Sequence, residues 1–181
     1  EQLADPREAV RRVLRRRSSR MDEEGSVESL RRAGLDLSAW RDFETAWTRA
    51  EFPRIERIDR LVDEARHLAD LLRDPSSKYD ALHQSAWPIR RLVEDVVRVE
   101  EVADRDYDGL EAELVALSRH RDLPRLRKGS GAQYKAGVTR DEVWQSVERL
   151  RASLNPFEMD ADADIAALLQ RELRSLGKRY A

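Results

Sequence analysis

The chain has no cysteine, which excludes disulfides, thiolate metal sites and a cysteine nucleophile and fits a reducing compartment. Aromatic residues make up only 6%, and there are just 7 glycines and 6 prolines among 181 residues. Such a mix, with Leu, Val and Ala supplying most of the apolar content, argues for a charged-surface helical protein, and no strand is expected. No run of about 18 apolar residues exists, so no membrane span is expected, and no apolar signal region opens the chain. The sequence runs from Glu1 to Ala181 without an initial Met, and a piece of a longer protein is favoured over a processed one. Charge of one sign is also lacking. Charged residues reach 39% but sum to a formal net charge of -2, so any polyanion partner must be argued from local patches.

What is present is helical periodicity, strongest from Phe52 to Asp104. Ile55, Ile58, Val62, Ala65, Ala69 and Leu72 recur at steps of three and four, with Leu61 and Leu68 beside them. Leu82, Ala86, Ile89, Val93, Val96 and Ala103 repeat the rhythm after a short break at Asp74-Pro75-Ser76-Ser77. Two faces that must leave water, joined by a few residues, predict an antiparallel helical hairpin. Pro88 interrupts its second arm: either that helix kinks, or a short helix near 78–86 precedes one starting at Pro88.

Proline, glycine and capping residues place the other helices. Asp5-Pro6 opens a helix over 6–20, with Ala9, Val10, Val13 and Leu14 on one side and Arg11, Arg12, Arg15 and Arg16 on the other. Ser26 and Ser38 cap two further helices, the second presenting Trp40, Phe43 and Trp47. A helix is expected from Tyr107 to His120, then a flexible basic loop over 121–138. Thr139 and Glu142 form a capping box, and the helix they open is expected to stop at Asn155-Pro156, with a last helix carrying Ile165, Leu168, Leu169, Leu173 and Leu176. The expected fold is all-α: one domain over 1–181, an antiparallel bundle of about six to eight helices organised on the 52–104 hairpin.

Motifs with chemistry are few. Glu64-x-x-His67 and Asp80-x-x-His83 have di-iron spacing, but at ~100° per residue they point away from the apolar stripes. Asp160, Asp162 and Asp164 resemble a calcium loop until Ile165 takes the position of its glycine and Arg171 that of its closing glutamate. Lys128-Gly129-Ser130-Gly131 puts its lysine before the glycines, unlike a P-loop. Residues 27–47 match a helix-turn-helix only loosely, since Asp42 and Glu44 would face the groove. Glu100, at the edge of an apolar stripe, is the one carboxylate expected to be partly buried, paired with an arginine or raised in pKa.

Two basic segments remain: the N-terminal Arg11, Arg12, Arg15 and Arg16, and the loop residues Arg125, Arg127, Lys128, Lys135 and Arg140. These are the candidate contacts for nucleic acid or for an acidic partner. The expected function is a non-catalytic helical interaction or assembly module of a larger protein or complex, monomeric, cytoplasmic, with protein partners and without catalytic, cofactor or metal residues. The alternative is a nucleic-acid-binding accessory domain that contacts DNA or RNA through both basic segments. If the N-terminal arginines are covered by acids of the same bundle, the alternative weakens.

Overall fold

The computed structural model describes residues 8–15, 35, 51–73, 77, 79–100, 105–130, 134 and 137–180, with side chains except at 99, 100 and 172–180. Asp5, Arg16, Ser26, Ser38, Trp40, Phe43, Trp47, Lys135 and the side chain of Glu100 therefore lie outside the described residues. Within them the protein is all helical, with no strand. Six α-helices follow one another: α1 Glu8–Arg15, α2 Arg54–Leu71, α3 Ala81–Ser85, α4 Trp87–Glu100, α5 Tyr107–Ser118 and α6 Arg140–Tyr180, with a 3-10 turn at Leu123–Arg125.

The periodicity of α2 becomes burial. Ile58, Leu61, Val62, Ala65, Leu68 and Leu72 are all buried, and the helix packs against α4, α5 and α6 together. Each such side chain removed from water contributes about 1.5–3 kcal/mol, so this stripe fixes how α2 is rotated. Ile55, expected on the same stripe, is instead 49% exposed. In that first turn Arg54, about 100° round the helix, turns toward α5 and takes the inner position.

The break at Pro88 follows the second of the two expected arrangements. Helix α3 ends at Ser85, and the amides of Ile89 and Arg90 donate to Ala86 O at 3.1 and 3.3 Å. Pro88 thus sits in the first turn of α4, where a missing N–H leaves no partner unsatisfied. Helix α5 is capped by Asp106, whose carboxylate accepts from the Gly109 amide at 3.0 Å, and it buries Leu110, Leu114, Val115 and Leu117.

Helix α6 departs from expectation. It does not stop at Asn155-Pro156 but runs unbroken from Arg140 to Tyr180, 41 residues with Pro156 inside. Its start is the expected capping box: Thr139 N donates to Glu142 Oε2 at 2.7 Å and Glu142 N donates to Thr139 Oγ1 at 3.2 Å. Its apolar face, Val143, Val147, Leu150, Leu154, Phe157 and Ala161, belongs to the main core. Farther on, Ile165 and Leu168 meet Ala9 of α1 in a second small core, flanked by Val13 and Leu169. No helix is long and apolar enough to cross a membrane among the described residues.

Candidate functional site

Of the arginines expected on the outer side of α1, Arg11, Arg12 and Arg15 face carboxylates of this same chain. Arg12, expected outside, is 1% exposed, while Leu14, expected inside, is 52% exposed. The Arg12 guanidinium donates from Nε to both oxygens of Glu111, at 3.2 and 3.0 Å, and from Nη1 to Asp164 at 2.7 Å. Its Nη2 lies 2.8 Å from Glu111 Oε2 as an ion pair, without the alignment of a hydrogen bond. Arg54 reaches Glu111 from the other side, donating to Oε2 at 2.6 Å and to Asp108 at 2.7 Å. Arg11 and Arg15 are more exposed, yet pair with Asp108 at 3.4 Å and Asp106 at 3.3 Å.

This cluster joins α1, α2, α5 and α6. Burial pushes the Glu111 carboxyl upward, but the charge of Arg12 and hydrogen bonds from Arg54 and Arg12 outweigh it, and the pKa is lowered. Burial likewise pulls Arg12 down, and Glu111 and Asp164 more than restore it, leaving it raised. Both shifts favour the ionised forms, so each group holds the other charged. Desolvation offsets most of the attraction within a buried pair of this kind, so its net contribution to stability is small. Glu111 went unmarked in the sequence, where Glu100 drew attention instead. Its only sequence signal is its place among Leu110, Ala112, Leu114 and Val115, on a helix with little polar face.

A second cluster fixes Arg140, one of the candidate contacts. Asp80 was expected to be solvated on a helical outer face, but it lies outside the helix as the N-cap of α3, accepting from His83 N at 3.0 Å. The wheel that turned it outward does not apply there. Its carboxylate is ion-paired with Arg140, with both side chains nearly buried, and it accepts from Tyr134 Oη at 3.0 Å. Arg140 also donates to Lys128 O at 2.7 Å and stacks over the Tyr134 ring at 5.6 Å. Burial raises the Asp80 carboxyl, and hydrogen bonds from Arg140, His83 N and Tyr134 overcome it, holding the pKa at about 2.

That shift fixes a pH dependence. The folded pKa lies below the unfolded value of 3.8, so the stabilisation is complete above the unfolded pKa. It is lost as pH falls through the folded one, between about pH 5 and pH 2. The expected loss is about 2 kcal/mol from this group. Urea unfolding followed between pH 6 and pH 2.5 should show it, and Asp80→Asn should flatten the slope in that window.

The third feature is the segment from Arg119 to Ser130. Leu123 and Leu126 are 5% and 6% exposed and join the main core, as does Tyr134 beyond them. The backbone turns on itself through Leu123 N to His120 O at 2.9 Å and Arg125 N to Asp122 O at 3.0 Å. Arg119 is held by Glu158 at 2.6 Å and Asp162 at 2.7 Å of α6, and Lys128 is ion-paired with Asp141. Arg125 and Arg127 are exposed and have no ion-pair partner among the described residues. Two buried leucines fasten this basic segment to the core and leave Arg125 and Arg127 exposed on an anchored backbone.

One open cleft of about 320 Å³ lies between α2 and the start of α6, lined by His67, Leu71, Val138, Glu142, Gln145 and Arg149 among others. Its carboxylate, Glu142, is occupied by the Thr139 amide and hydroxyl. No group of three or more His, Cys, Asp or Glu side chains is placed to hold a metal ion among the described residues. The molecule is thus an all-helical protein cross-braced by buried ion pairs, with a fastened basic segment on its surface. No family model matches the chain, and comparison with curated proteins and with solved structures gives no match.

Proposed function

We propose that the chain is a non-catalytic helical interaction module, acting within a larger protein or complex, and that it meets an anionic partner through the segment 119–130. The observation that carries this reading is the division among its arginines. Arg12, Arg54, Arg119 and Arg140 are aimed at carboxylates of their own chain. Arg125 and Arg127 are held outward on buried leucine anchors. A cation on an anchored backbone loses less loop entropy on binding than one in a mobile loop, which favours contact there.

The finer architecture belongs to the same proposal: an antiparallel bundle organised on the 52–104 hairpin. The packing of α2 on α4, with α3 between them in the chain, supports it. A monomeric state is supported by the stripe of α2, which is used up within the chain. The cysteine-free composition supports an intracellular setting.

Retention on immobilised heparin, eluted with a salt gradient, tests this reading. Wild-type protein should be retained at low salt, and Arg125→Ala with Arg127→Ala should elute much earlier while melting at an unchanged temperature. Passage of the wild type straight through at low salt would contradict the proposal.

A further inference from the structure

The fastened basic segment has exposed aromatic neighbours that the sequence separates from it by dozens of residues. Trp87, 41% exposed at the start of α4, packs edge-on against His120 with ring centroids 5.3 Å apart. At the other end, a β-carbon built at Gly129 would meet that of Ala81 at 3.8 Å, and Lys128 O accepts from the Arg140 that pairs with Asp80. Gly129 adopts φ +67°, in the left-handed region, which lets the chain turn there without a side-chain clash. Residues 120–129 therefore run from the start of α4 to the start of α3, and Tyr79, 73% exposed, immediately precedes that second point. Between these two points the segment carries Arg121, Arg125 and Arg127, all exposed. Arg121 is 80% exposed, at 3.8 Å from Asp122. Close to the segment, Asp122 is one-third exposed and Asp141 is ion-paired with Lys128.

From this placement we infer that the partner of the segment is single-stranded nucleic acid, with bases stacking on Trp87 and Tyr79 and the phosphates between them meeting Arg121, Arg125 and Arg127. Cations alone fit any polyanion. Exposed aromatic rings at both ends of a short cationic track fit a strand whose bases are unpaired, because every base offers a face to stack on. A duplex keeps its bases stacked on one another and gains only the phosphate contacts. The arrangement separates this site from Arg11, Arg12 and Arg15, which are paired with carboxylates of the same chain. The inference rests on the interaction reading above and adds the chemical class of the partner.

Fluorescence anisotropy with four labelled probes tests it: a 20-nucleotide oligo(dT), the matching oligo(U), a duplex of the same length, and an abasic strand carrying the same phosphates. The two intact single strands should bind best, with DNA against RNA distinguishing the source of the strand. Their affinity should fall with log salt at a slope of about -2 for three phosphate contacts, and the slope should shrink by more than half in Arg125→Ala with Arg127→Ala. Trp87→Ala should lose roughly tenfold for the intact strand and nothing for the abasic one. Tyr79→Ala, at a more exposed position, should behave alike and guards against a local folding defect at Trp87. Equal binding of abasic and intact strands, or Trp87→Ala and Tyr79→Ala both indistinguishable from wild type, would overturn the inference. Heparin retention without any oligonucleotide binding would overturn it and leave the interaction module standing. Failure on heparin and on every strand would overturn both.

Discussion

Glu111→Ala is expected to cost about 3–5 kcal/mol, the scale for removing one member of a buried ion pair and leaving its partner unpaired. For a domain of this size that corresponds to a fall in Tm of roughly 10 °C. The residue stands between two guanidiniums, Arg12 with a fully buried side chain and Arg54 with 16% exposure. Alanine would leave Arg12 with Asp164 and, at 3.6 Å, Glu8, and Arg54 with Asp108. Neither remaining arrangement satisfies the Nε donors that now point at Glu111. The opposite change is instructive. Arg12→Met combined with Glu111→Leu removes the guanidinium that would otherwise be left buried and unpaired and should recover part of the loss, while Arg54 keeps only Asp108 and Asp164 loses its partner. Chemical denaturation of the two single variants and the double gives the coupling directly. A cost below about 1 kcal/mol for Glu111→Ala would mean that Arg12 is not held as described.

Pro156→Ala is expected to stabilise the protein, by up to about 3 kcal/mol, the penalty for proline in a helix interior relative to alanine. Pro156 is exposed, so its ring contributes little burial to lose. It also removes an amide that would bond the carbonyl of Ala152 within α6. A thermal melt reads the gain as a rise in Tm. A fall would mean that Pro156 makes a packing contribution its exposure does not suggest.

The same residue explains where reading the chain by itself went astray. Asn155-Pro156 is a strong local stop signal, and it predicted two helices. The apolar stripe nevertheless stays in phase across it: Val147, Leu150, Leu154, Phe157, Ala161, Ile165 and Leu168 keep helical spacing without a skip and are all buried. Continuous tertiary burial along one face outweighed one missing hydrogen bond. The signal was legible in the spacing, and Phe157 and Ala161 carry it.

Arg12 is a different case. No periodicity marks a buried arginine, since only a carboxylate brought from 99 residues away makes the position tolerable. Asp80 failed because the rotation assumed for it belongs to a helix that begins one residue later. By contrast, the stripe of α2 beyond its first turn, an interruption near Pro88 and the capping box at Thr139 were readable from local chemistry. The basic character of the 121–140 stretch was legible too. Its fastening by Leu123 and Leu126 was not, because two leucines in an aperiodic, arginine-rich run announce no particular face. The proximity of Trp87 and Tyr79 to that stretch depends wholly on tertiary structure.

The central claim is that the chain divides its arginines between internal struts and an outward contact surface. Footprinting the folded protein with an arginine-selective dicarbonyl reagent, read residue by residue by mass spectrometry, tests it directly. Arg125 and Arg127 should be modified quickly, while Arg12 and Arg140 should react only once the protein is unfolded in denaturant. Modification of Arg12 in the folded protein at the rate of Arg125 would contradict the account.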